Sequence, residues 1–246
     1  MGRFKHEAVA VDPRTNIVYQ TEDQHDGMIY RYISKVPGKL QEGGKLQALA
    51  IKEISSCDTR NWVDLESEPF PLGKDFDVQW IDLEEIDSPN NDLRYRGFDA
   101  GAARFARGEG MWFGDNEVYF VCTNGGTTQT GQIFRYTPSP FEGQAKENQS
   151  PGKLTLFAEP NDSEIVQNCD NLTVAPWGDL LLCEDRGTPF LIGVTPDGSF
   201  YKIAKQVGFN SEFAGVTVAP NGKTVFLNIQ HAGLTLAIDG PWDSRV

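Results

Sequence analysis

Four short segments of this 246-residue chain place the same chemistry at the same spacing. Glu7, Glu109, Asp170 and Ala214 each stand six residues before a turn residue, namely Pro13, Asp115, Pro176 and Pro220. Beyond the turns, a second column holds Glu22, Asn124, Glu184 and Asn228. Carboxylates and amide oxygens are ligands for hard cations such as Ca²⁺. Carboxylates held close together repel by ~4 kcal/mol at 4 Å in a medium of effective dielectric near 20, so a cluster of them calls for a proton or a cation. Arg107, two residues before Glu109, points to the same side of an extended chain as Glu109. A guanidinium there is either a counter-ion for the acids or a fork for a phosphate or carboxylate, and spacing alone leaves both open.

The elements that must carry these residues are hairpins. Apolar residues alternate through Glu7–Val11, Gly110–Phe113, Leu172–Val174 and Val216–Val218, then resume beyond each turn, the pattern of half-buried antiparallel strands. Third strands follow at residues 27–33, 131–137 and 190–195, and fourth strands at 46–51, 154–157 and 200–207. Hairpins repeated in this way predict an all-β chain, a partial or small β-propeller of about four blades, in which the starts of the inner strands converge on one axis. The expectation is a single propeller domain over residues 1–246. Apolar positions Leu93, Phe98, Ala102 and Phe105 predict one inserted helix near residues 92–106, with Asp92 as its N-cap. Residues 137–152, rich in Pro and Gly, read as an exposed loop, and 57–92 as a polar connection with one strand at 78–81.

With 35 acidic and 22 basic residues, the net charge of −13 argues against nucleic acid and anionic membranes as partners. No stretch reaches the roughly 20 apolar residues of a membrane span, and residues 1–7 have no signal-peptide core. Cys57, Cys122, Cys169 and Cys183 lack CxxC spacing. Cys122 and Cys183 read as buried apolar residues at one repeat position, and a Cys169–Cys183 disulfide is left open. His6 would point away from Glu7, and neither His25 nor His231 belongs to a readable Ser/His/Asp or HxxxH pattern. The Asn124-Gly125-Gly126-Thr127-Thr128 stretch reads as a turn, although its amides could face an anion.

The segments Gly2–Pro13, Phe105–Gly110, Asp170–Val174 with Cys183–Asp185, and Glu212–Thr217, in order along nearly the whole chain, together resemble the PhoX-type alkaline phosphatases. The resemblance implies a β-propeller phosphoric monoester hydrolase whose axial site holds Ca²⁺ and Fe³⁺. It implies metal ligands at Glu7, Glu109, Asp170, Asn171 and Glu184, with Glu22 and Glu212 as additional ones. Arg107 and Glu109 would be the catalytic residues, acting on a small-molecule phosphomonoester. Members of that family are longer, and their N-terminal half carries further blades and a Cys-Glu-Glu motif that gives iron a cysteine ligand. No such motif occurs here. The resemblance therefore implies the C-terminal part of a longer propeller, completed by a preceding segment or a second chain, and periplasmic or extracellular full-length relatives. Two alternatives stand beside it: a calcium-dependent gluconolactonase-like propeller, which the Asp170–Pro176 segment also resembles, and a non-catalytic propeller remnant acting as a binding module.

Overall fold

A computed structural model describes residues 1–242. Its strands form four blades in chain order. The first comprises β1 (His6–Val11), β2 (Val18–Glu22), β3 (Ile29–Ser34) and β4 (Gly44–Ile51). After β5 (Asp75–Leu83) and the helix α1 (Leu93–Asp99), the second comprises β6 (Gly108–Gly114), β7 (Glu117–Cys122), β8 (Gln132–Thr137) and β9 (Lys153–Ala158). The third holds β10 (Cys169–Val174), β11 (Leu180–Glu184), β12 (Phe190–Val194) and β13 (Phe200–Lys205). The fourth has three strands among the described residues, β14 (Phe213–Val218), β15 (Thr224–Ile229) and β16 (Leu234–Asp239). The inner strands β1, β6, β10 and β14 stand side by side.

Period-2 alternation explains how the blades stack. On β11, Leu180 and Leu182 face the second blade, whereas Leu181 and Cys183 face the fourth. A middle strand buried on both faces reads as an unbroken apolar run, as Leu180–Cys183 does. The first and second blades share a large core around Tyr19, Ile29, Leu49, Phe120 and Phe134. The opposite face of the first blade packs Met28, Tyr30 and Leu46 against Leu93 and Ala102, with Phe4 and Phe98 alongside.

The helix is shorter than the sequence suggests. It ends at Asp99, because Gly101 takes a φ of +104° and the chain then bridges residue 104 to Asp58 and residue 105 to Gly27. Asp92 does sit at the N-cap position, but its carboxylate accepts from the Ser88 hydroxyl and pairs with Arg96 instead of capping the helix backbone. The expected strand at 78–81 is the nine-residue β5, which pairs with both β4 and β9 and joins the first two blades in one nine-stranded sheet. Nor is 137–152 wholly exposed. It delivers buried Glu142 between those blades, where the carboxylate accepts from Tyr19 (3.0 Å), Tyr136 (2.8 Å), Arg31 (2.6 Å) and the Ser139 amide (2.8 Å). The four cysteines are free and buried. Cys122 and Cys183 are not equivalent, since Cys122 stands opposite the first residue of β6 and the counterpart opposite the first residue of β10 is Glu184.

Candidate functional site

Each inner strand carries the same irregularity. The pairings His6↔Glu22, Gly108↔Cys122, Cys169↔Glu184 and Ala214↔Asn228 are each followed by a one-residue shift before regular pairing resumes. An extra residue on one strand is a β-bulge, which bends the strand and re-aims its side chains. Three of these bulges contain Glu7-Ala8, Glu109-Gly110 and Asp170-Asn171; the fourth contains Gly215-Val216. The three acids of the first sequence column thus share one structural place, at the bulges, whereas Ala214 stands just before its bulge.

Gly110 lets two of these strands close on one another. A Cβ there would stand 2.6 Å from both the Asp170 carbonyl oxygen and the Leu172 nitrogen, so only glycine admits that approach. The Thr21 hydroxyl donates to the Glu109 carbonyl at 2.6 Å and accepts from the Ala8 amide at 2.9 Å, tying the first bulge to the second. Thr123 donates to the Cys169 carbonyl at 2.9 Å and ties the second to the third.

Arg107 sits among the acids. Its Nη2 donates to Glu109 at 2.6 Å, its Nε to Asp23 at 2.7 Å and its Nη1 to the Asn124 side chain at 3.2 Å, with Asp185 at 3.9 Å. Its φ is +54°, a left-handed conformation that costs a non-glycine residue and that functional sites accumulate. Asn168, at the matching place before β10, shares it at +55°. The backbone carbonyls of Lys5, Arg107, Asn168 and Glu212, one residue before each inner strand, accept from the amides of Asp23, Thr123, Asp185 and Gln230. Glu212 is therefore the fourth blade's counterpart of Arg107.

Six carboxyl groups, Glu7, Asp23, Glu109, Asp170, Asp185 and Glu212, interact electrostatically with this one guanidinium or with each other. Burial, then Asp170, Asp23 and Glu7, pushes Glu109 up to about 9. Burial raises Asp170 to about 6 although it shares a hydrogen bond with Glu109. Glu212 rises to about 7 through burial and its bond with Asp185, and Glu7 rises through burial and Asp23. One guanidinium does not offset this crowding, which a bound cation would relieve.

Glu22 and Glu184 are not brought to this cluster. The Glu184 carboxylate accepts from the Gln167 amide at 2.7 Å and the Phe190 amide at 2.8 Å. Glu22 accepts from the Met28 amide at 3.2 Å and the Tyr30 hydroxyl at 2.7 Å, with Arg94 at 4.0 Å. Both hold the turn into the next strand by the same bond, to the amide six residues on. The acids that do reach Arg107 are the next residues, Asp23 and Asp185, because a one-residue step along a strand reverses the side chain. The second sequence column was thus out of register: opposite the first residues of the inner strands stand Glu22, Cys122, Glu184 and Ile229. Asn171 lies in the third bulge beside Asp170. His6 stacks on Phe4 at 3.7 Å, and the Ser211 hydroxyl braces His231 by accepting its amide at 2.9 Å.

Among the described residues, no group of three or more His, Cys, Asp or Glu side chains is arranged to hold a metal ion as it stands. Arg107 takes up oxygens of Glu109, Asp23 and Asn124. The donor chemistry nevertheless fits a hard cation, since Glu7, Asp23, Glu109, Asp170, Asp185 and Glu212 are all carboxyl groups and they crowd one another. No helix among the described residues is long and apolar enough to cross a membrane.

Blades stacked around one axis, with carboxylates gathered at the bulged starts of the inner strands, define a β-propeller with an acidic axial site. The chain belongs to the alkaline phosphatase PhoX family, whose model matches residues 1–233. Among solved structures, PhoX of Pseudomonas fluorescens in complex with vanadate, a transition-state analogue, is similar at 19% identity and a TM-score of 0.63. The match covers 94% of this chain and 49% of that one, so this chain spans about half the length of that relative. A Lactobacillus plantarum protein matches at 9% identity and a TM-score of 0.41, over 94% of this chain and 54% of its own. The periplasmic gluconolactonase of Pseudomonas aeruginosa matches at 10% identity and 0.38, over 93% and 64%. No curated protein sequence matches.

Proposed function

We propose that this chain contributes the acidic axial half of a metal-dependent phosphomonoester hydrolase. The observation that carries the reading is Arg107, held at positive φ among Glu109, Asp23 and Asp185 beside three bulged inner strands, in a chain of the PhoX family. Glu7, Glu109 and Asp170 would hold the cations, Ca²⁺ and Fe³⁺ by family, with Asn171, Asp23, Asp185 and Glu212 within the same cluster. Bound cations would neutralise the phosphate and favour attack by an oxygen nucleophile. Arg107 has the fork geometry to hold phosphoryl oxygens once released from Glu109. It would then stabilise the charge that develops in transfer, and the vanadate complex of the Pseudomonas fluorescens relative is consistent with a site of that kind.

The cysteines of this chain are buried, burial raises each thiol, to about 12 for Cys57, and none stands in a Cys-Glu-Glu motif. We assign the remaining iron ligand, and the blades that close the ring, to a preceding segment or a second chain. Exposed Val9 and Val11 on the inner strand β1 support this, because an inner strand in a closed propeller is covered. The substrate is a small phosphomonoester, and the location follows exported relatives, periplasmic or extracellular. The test is elemental analysis for calcium and iron with turnover of an aryl phosphate on the same sample. Cation binding is expected in the chain alone and turnover once the ring is completed; a completed ring that binds cations and hydrolyses no phosphoester would overturn the assignment.

A further inference from the structure

The connection between β4 and β5 leaves and re-enters the sheet at the end where the acids gather, since Ile51 at the end of β4 pairs with Val78 near the start of β5. That connection is anchored residue by residue. Asn61, buried and at φ +56°, accepts from the Phe70 amide at 2.6 Å and donates to Glu159 at 2.8 Å. The Arg60 carbonyl accepts from the Gly126 amide at 2.9 Å, and the Arg60 guanidinium is clamped by Asp58 at 2.6 and 2.8 Å. Between these anchors the loop presents Trp62. Its indole N–H donates to the Asn124 carbonyl at 2.6 Å, and the side chain of that same Asn124 holds Arg107.

The indole is built as a shelf. Arg60 covers it at 4.3 Å, and the exposed imidazole of His25 meets it edge-on at 6.0 Å. His25 stands two residues beyond Asp23, the carboxylate that pairs with Arg107. Arg60 also donates to the His25 carbonyl at 3.2 Å, so the two halves of the shelf are fixed to each other. A large aromatic ring left partly exposed on an anchored loop and joined to Arg107 through Asn124 has surface to offer to whatever that arginine would hold.

We infer that Trp62, with His25 beside it, forms an aromatic wall at the rim of the site and selects phosphomonoesters whose organic group is planar, aryl or heteroaryl, over alkyl esters. This rests on the reading of the acidic axial site as a phosphate centre. Stacking against a ring favours an aryl ester by roughly three- to tenfold.

The experiment is titration calorimetry of the completed ring, loaded with calcium and iron, with 1-naphthyl phosphate, ethyl phosphate and inorganic phosphate. The naphthyl ester is expected to bind several-fold more tightly than the ethyl ester. Trp62→Ala should remove that preference, and Trp62→Phe, which keeps a ring but loses the bond to Asn124, should retain most of it. His25→Ala should diminish it in part. Inorganic phosphate registers any loss of Arg107 positioning separately from stacking. A parent with no preference, or a Trp62→Ala variant that keeps it, overturns the inference and leaves the phosphate site standing. A loaded protein that binds neither ester nor inorganic phosphate overturns the phosphate site itself, and the inference with it.

Discussion

At the scale of single residues, the Glu109–Arg107–Asp23 pairing is what a bound cation or phosphate would have to reorganise. Glu109→Gln keeps the shape and fixes in a neutral form a group whose charge burial and three neighbouring carboxylates resist. The metal-free variant is therefore expected to melt no lower than the parent, while the rise in Tm expected of the parent on adding calcium, under the proposed cation site, should shrink. A calcium-induced shift of unchanged size, read by differential scanning fluorimetry, would remove Glu109 from the site. Glu22 supplies a prediction about pH. Burial raises it from 4.5 to about 7, against the Tyr30 hydrogen bond. A carboxyl raised on folding stabilises the fold fully below its unfolded value and loses that contribution as pH climbs through the folded one. Stability should thus fall by up to about 3 kcal/mol between pH 4.5 and pH 7.5, and urea denaturation of Glu22→Gln should show a flatter profile. Sequence spacing identified Glu7, Glu109, Asp170 and Arg107 as neighbours. It missed Asp23 and Asp185 because a strand alternates its sides, and nothing in the composition tells which of Glu22 and Asp23 turns inward.

At the scale of elements, the hairpin turns explain which column was legible. The inner strands carry their acids at a fixed distance before the turn, and the bulge falls at the same place in each, so Glu7, Glu109 and Asp170 align on sequence alone. The turns themselves differ in length. Asp115 and Asn116, both at positive φ (50° and 64°), make a two-residue turn in the second blade, whereas residues 12–17 and 175–179 make longer ones in the first and third. Counting across unequal turns displaced the second strand of the second blade, which is why Asn124 was aligned with Glu22 although Cys122 takes that place. The helix was overextended for a similar reason: Phe98, Ala102 and Phe105 keep helical spacing, but Gly101 breaks the backbone between them. Gly110 carries the prediction at this scale. Gly110→Ala meets the β10 backbone, and the inner strands must part by the difference. A loss of about 1–3 kcal/mol in chemical denaturation is expected, with weaker calcium binding in the same variant. Full stability would mean that the two strands have room the geometry denies them.

At the scale of the whole molecule, the four blades form an arc whose two ends differ. The outer face of the first blade is covered by α1 and Phe4, apart from Val9 and Val11 at its inner strand, which are 52% and 48% exposed. Val9→Asp with Val11→Asp is expected to lower self-association of the isolated chain, measured by light scattering at increasing concentration. An unchanged concentration dependence would show that this strand does not mediate contact. The strand β5 has a different bearing on how the chain behaves in a crowded solution. A sheet ordinarily ends in a row of unpaired amides and carbonyls that can recruit another chain. By lying between β4 and β9, β5 uses up the outer rims of two blades at once, which leaves β13 and β16 as the outer rims without a partner strand among the described residues. Misassembly of this protein should accordingly begin in its C-terminal third, and the first amides to gain protection during fibril growth should be those of β16.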